Sequence, residues 1–157
     1  MNKAKQLQTT VSDLEDHLGF WLRFVSNHVS DRFALLLDEH GVSGTEWVAM
    51  RTLYGKSAAT HSSLIEALGM TKGATSKVIT RLEGKGLAQR SQGEANGREQ
   101  NLELTAKGKK LVPTLAALAD QNDAHFFGHL STHDKKALAK LMKDIVGRQK
   151  LKQVPTK

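Results

Sequence analysis

The chain contains no cysteine. That excludes disulfides, thiolate metal ligands, cysteine nucleophiles and switches based on thiol oxidation, and it suits a reducing compartment, the cytoplasm. Long hydrophobic runs are missing too. No stretch approaches the roughly 18 apolar residues that a membrane-spanning helix needs, so no membrane partner is expected. The first ten residues, MNKAKQLQTT, lead into no continuous apolar segment, and a secretory signal is not expected. Histidines and carboxylates are present, but no glycine-rich phosphate loop, nucleophile elbow or metal-ligand cluster accompanies them. An enzyme is therefore not expected, and no cofactor is assigned. Internal repeats and low-complexity segments are also absent.

What remains is a globular composition: 157 residues, 39% apolar and 25% charged, enough for one ordinary domain with a real core. Lys and Arg outnumber Asp and Glu by 23 to 16, giving a net charge of +7 and a pI near 9.7. This balance suits a polyanionic partner, although basicity alone is common among proteins with no such partner.

The stretch that organises the chain is residues 60–105, and within it TKGATSKVITRLEGKG, residues 71–86. It reads as a short helix capped by Thr71, with Lys72, Lys77 and Arg81 outward and Val78, Ile79 and Leu82 inward. A compact helix capped by Thr60, with Leu64, Ile65 and Leu68 inward, precedes it across a Gly69-Met70 turn. Two short strands, residues 87–90 and 102–104, follow, joined by a polar loop containing Gly93 and Gly97. Helix, turn, basic helix and two-stranded ribbon make a winged helix-turn-helix, and the fold class expected is mainly α with a small β component.

The flanks are helical. Apolar residues at 11, 14, 18, 22, 25, 29, 33 and 36 recur at steps of three and four, one face of a helix. Phe20, Trp21 and Phe24 widen that face beyond what one core contact needs, and the excess is expected against another chain. Gly41 can close this helix. Ser43 and Glu46 have capping-box spacing for a helix burying Trp47, Met50 and Leu53; Gly55 ends it, and residues 57–59 form an extended link. Thr105 begins a further helix with Leu111, Leu115, Leu118, Phe126 and Leu130 in helical spacing, which Pro113 should bend unless it lies near the first turns. Ser131 and Asp134 cap a last amphipathic helix carrying Leu138, Leu141, Met142 and Ile145, followed by a basic tail. The resulting division is residues 1–41, an amino-terminal helix; 42–104, the winged helix-turn-helix; and 105–157, carboxy-terminal helices with a basic tail.

A helix of this kind fits the major groove, where its first turns reach base edges. Gly73, Ala74, Thr75 and Ser76 are short enough for close approach, and Ala74 or Thr75 could touch a thymine methyl. Lys72 and Lys77 can reach guanine acceptors or phosphates, and Arg81 and Arg90 extend the basic surface. Arg98 in the hairpin loop can enter the minor groove or clamp phosphate. A solvated basic face is the plain alternative for each.

The run SSLIEALGMTKGATSKVITRLEGKGLAQR, then a loop with an arginine, then LELTAKGKKL, resembles the MarR family of winged-helix transcription regulators, most specifically at residues 82–90 and 104–108. The resemblance implies a homodimer built on interleaved terminal helices, double-stranded DNA with a pseudo-palindromic site, and usually repression. It matches the family's recognition-helix positions to Lys72, Gly73, Ala74, Ser76 and Lys77, and its wing arginine to Arg98. One position departs: where the family places an aspartate two residues before that arginine, this chain has Asn96, which carries no charge, with Glu94 nearby. A small-molecule effector lodged between the dimer helices and the winged helix is also implied, with Trp21, Phe24, His28 and Trp47 as candidate lining residues; each has an ordinary core role as its alternative. His125 and His129 could share a helix face and hold a metal, with His133 off that face; an inert exposed pair is the alternative. Beside the sequence-specific regulator stand a non-specific architectural DNA-binding protein of the same fold and a protein-docking winged helix.

Overall fold

A computed structural model of the chain describes residues 11–56, 59–92 and 100–152; link residues 57 and 58, the hairpin tip 93–99 and both chain ends lie outside them. The order is a 3-10 turn (Leu14–Asp16), α1 (Leu18–Asp38), α2 (Gly44–Leu53), β1 (Ala59–Thr60), α3 (His61–Leu68), α4 (Lys72–Gly84), β2 (Ala88–Gln92), β3 (Gln100–Leu104), α5 (Ala106–Phe127) and α6 (Thr132–Arg148). The fold is mostly helical with one small antiparallel sheet.

Local chemistry starts most of these helices. The Ser43 hydroxyl accepts the Glu46 amide and the Glu46 carboxylate accepts the Ser43 amide, at 3.2 and 2.9 Å, closing the expected capping box. Thr60, Thr71, Thr105 and Ser131 accept from the amides of Ser63, Ala74, Gly108 and Asp134. Each contact satisfies one amide that the helix itself leaves unpaired.

The first helix starts later than its periodicity predicts. Asp16 accepts the Asp13 amide at 3.0 Å, and His17 is extended, with φ −94° and ψ 122°. Short carboxylates that bond local backbone compete with helix continuation, so Val11 and Leu14 stand exposed ahead of α1. In α5, Pro113 lies inside the helix rather than in its first turn, where it removes the hydrogen bond that would reach back one turn. Leu130 falls beyond the end of α5.

The sheet has three strands in the order β1-β3-β2, not two. The expected link at residue 59 is in part strand: Ala59 faces Leu102 and Thr60 faces Asn101. On the other side β2 runs against β3 from Ala88 opposite Leu104 to Gln92 opposite Gln100, so the ribbon reaches further toward its tip than the sequence suggested. Leu102 and Leu104 point into a core shared with Leu37, Met50, Leu64, Leu68, Leu82 and Leu115. Trp47 packs beside that core, half-buried.

One junction fixes the ribbon to the helices. Gly86, in the left-handed conformation with φ 68°, ends α4, and the Leu87 amide returns to the Leu82 carbonyl at 2.9 Å. The Thr105 amide donates to the Leu87 carbonyl at 3.1 Å, and the Thr105 hydroxyl donates to the Gly86 carbonyl at 2.6 Å. A Cβ on Gly108 would lie 2.1 Å from that same Leu87 oxygen. The end of α4, the start of β2 and the start of α5 thus meet at one point, which accounts physically for glycine at 86 and 108 and threonine at 105.

At the far end of α5, the buried Asn122 side chain donates to the Val29 carbonyl at 3.0 Å and accepts from Arg32 at 2.9 Å, joining α5 to α1. Much apolar surface is left uncovered. Leu18, Trp21, Leu22, Phe24 and Val25 of α1 are exposed, as are Leu138, Leu141, Met142, Ile145 and Val146 of α6, and α6 has no buried residue.

Candidate nucleic-acid interface

The cap at Thr71 and the inward row Val78, Ile79 and Leu82 determine which arc of α4 faces outward. Lys72, Gly73, Lys77, Thr80 and Arg81 are exposed, while Ala74 and Ser76 are half-buried. A Cβ at Gly73 would meet nothing within 4 Å, so internal packing does not require glycine there, at a cost of about 1 kcal/mol in helix propensity relative to alanine. Glycine at this position leaves open ground beside Lys72 and Lys77.

Thr75 does not belong to this surface. It is 0% exposed, and among the described residues its hydroxyl is a buried side-chain oxygen with no hydrogen-bond partner. It lies three, four and seven residues before Val78, Ile79 and Leu82, which puts it on their face; the expected thymine contact is withdrawn. Ser76, by contrast, sits at the rim of the helix pair, its Oγ 3.2 Å from Nε2 of His61 on α3. His61 was not singled out from the sequence, and no spacing rule would have found a contact across fifteen residues and a turn.

The ribbon adds Arg90, whose Nε lies 3.1 Å from a Glu83 carboxylate oxygen. That pair holds β2 against the carboxy-terminal half of α4. Arg98, with Asn96 and Glu94, lies outside the described residues.

The four candidate effector-lining residues do not come together in one chain. Trp21, Phe24 and His28 form an exposed row on α1, with Phe24 and His28 ring centres 4.9 Å apart. Trp47 packs edge-on against Phe33, 6.1 Å away, and Phe33 projects roughly a third of a turn or more around α1 from that row. The histidine pair is also separated: α5 ends at Phe127, so His125 lies in the helix and His129 beyond it. They share no helix face. Among the described residues no three metal-ligating side chains cluster, and no helix is long and apolar enough to cross a membrane.

With this geometry in hand, the matches to known proteins are direct. Residues 42–100, from the approach to α2 as far as the first residue of β3, match the MarR family model. Over this segment the chain is similar to the MarR family. The transcriptional regulator HosA of Escherichia coli O157:H7 is 28% identical over 101 residues, 64% of this chain and 75% of HosA. In structure, MepR of Staphylococcus aureus, solved as a DNA complex, superposes with a TM-score of 0.76 at 19% identity, covering 84% of this chain and 98% of MepR. BpsR of Bordetella bronchiseptica, whose DNA binding is regulated by 6-hydroxynicotinic acid, gives the same TM-score at 21% identity, covering 86% and 96%. Fold and family match together mark a winged-helix, DNA-binding transcriptional regulator of MarR type.

Proposed function

We propose that the chain acts as a homodimeric repressor that lays one α4 into each of two major grooves of a pseudo-palindromic site. The observation that carries this reading is the outward arc of α4, where small Gly73 and Ala74 lie between Lys72 and Lys77. In it Lys72, Ser76 and Lys77 meet base edges, Gly73 and Ala74 admit them, and Arg81, Arg90 and Arg98 hold the backbone or the minor groove. The exposed apolar faces of α1 and α6 support residues 1–41 and 105–157 as the dimerisation region around a winged helix at 42–104. A second copy would cover these faces, as contiguous exposed apolar patches commonly require. The example of BpsR supports a small-molecule effector here as well, taken beside the row Trp21, Phe24 and His28. A cytoplasmic location completes the reading.

The test is selection of bound duplexes from a random library at near-physiological salt, with sedimentation to give the protein's mass. A two-fold-symmetric motif with half-sites about one DNA turn apart, together with a dimer mass, is the expected result. Binding without an enriched motif would replace this reading with a non-specific architectural role using the same surface.

A further inference from the structure

Serine is an ambivalent reader of DNA. Its hydroxyl carries one proton and two lone pairs, so an unconstrained serine bonds to donors and acceptors alike and discriminates little. Ser76 is not unconstrained. Its Oγ lies 3.2 Å from His61 Nε2, and both side chains are half-buried at the junction of α3 and α4. Its carbonyl also accepts the Thr80 hydroxyl at 2.9 Å, one turn further along the same arc. His61 is the first residue of α3, held there by the Thr60 cap on the Ser63 amide.

We propose that His61 is a positioning residue for base readout, fixing which half of the Ser76 hydroxyl faces the groove. If Nε2 accepts, the serine proton is committed to the ring and only lone pairs face outward, which favours the amino groups of adenine or cytosine. If Nε2 donates, the proton faces outward, which favours guanine or thymine acceptors. The ring takes the serine's only donor in the first state and one of its two lone pairs in the second, so the pair narrows what an ambivalent side chain can bond, and α3 takes part in specificity without touching a base. The inference rests on the reading that α4 enters the major groove.

The experiment measures affinities of the full-length protein for the selected duplex and for a set varied one base pair at a time. His61→Ala and Ser76→Ala should each lose discrimination at the same base pair, by roughly two- to tenfold, the reach of one neutral hydrogen bond. The double variant should lose no more than either single one. His61→Gln, whose amide both donates and accepts, should restore most of it. Loss in His61→Ala at a different base pair, an equal loss on every duplex, or no loss overturns the inference, as does failure of His61→Gln to restore. Ring nitrogen spectra supply a measurement that needs no His61 variant. Adding the selected duplex should shift the His61 Nε2 resonance in the wild type and not in Ser76→Ala, and an unmoved resonance in the wild type overturns the coupling. A wild type that selects no motif overturns the groove reading itself and this inference with it, whereas an intact motif indifferent to His61 overturns this inference alone.

Discussion

The Lys85 ammonium lies 2.7 Å from a carboxylate oxygen of Glu46, whose side chain is 1% exposed while that of Lys85 is 40% exposed. The same oxygen accepts the Ser43 amide, and Lys85 also donates to the Gly41 carbonyl at 2.6 Å. One carboxylate therefore starts α2 and fastens the end of α4 to it.

Removing the cation should leave that carboxylate buried and under-satisfied. Lys85→Met is expected to lower unfolding free energy by about 1.5 kcal/mol, the low end for a charge-assisted hydrogen bond because Lys85 is partly in water. Glu46→Gln keeps the capping geometry and an acceptor for Lys85, and should cost less. Urea unfolding of the two variants decides; a larger loss in Glu46→Gln would show that the charge itself, not the cap, is the stabilising part.

Thr75 offers a gain. Its orphan hydroxyl is fully buried, and Thr75→Val keeps the branched shape while discarding an unpaired polar group. Stability should rise by about 1 kcal/mol, with DNA affinity unchanged. A fall in affinity with normal folding would return Thr75 to the DNA-contacting surface.

The same substitution at two glycines should have opposite signs. Gly108→Ala drives a Cβ into the Leu87 carbonyl and should destabilise by about 1–3 kcal/mol despite better helix propensity. Gly73→Ala enters open space and should stabilise by up to about 1 kcal/mol while weakening DNA binding. Thermal melting and a binding titration on both variants test the pair; unchanged DNA affinity in Gly73→Ala would remove the clearance argument.

Base and phosphate contacts separate by their salt dependence. Lys77→Ala should alter base preference, whereas Arg98→Ala should weaken all duplexes alike and lower the slope of log affinity against log salt by about one. Selection repeated with Lys77→Ala, returning the wild-type motif, would take Lys77 out of the set of base readers.

What was legible in the sequence is what local chemistry decides. The caps at Ser43, Thr60, Thr71, Thr105 and Ser131 act over three residues, and each could be read from a short side chain followed by an apolar period. Thr75 was legible too: its spacing from Val78, Ile79 and Leu82 marks an inward face. Other features depend on distant partners. The two-residue strand at Ala59–Thr60 exists only because β3 lies beside it. Asn122 meets Val29 and Arg32 some ninety positions away, and nothing in DQNDAH announces that. The late start of α1 reflects competition between Asp13 and Asp16 turn chemistry and a helical period that the apolar residues alone continue to satisfy.

The two fastenings on α5 lie far apart. Thr105 holds its first turn to the end of α4 and the base of the ribbon, and Asn122 holds its last turns to α1. Seventeen residues of helix between them span about 25 Å. A rod fixed in this way behaves as a lever: a tilt of about 5° around the Asn122 end carries the Thr105 end through about 2 Å, a substantial fraction of the reach of a lysine into a groove. A small tilt of α5 about its Asn122 end would therefore arrive enlarged at the end of α4.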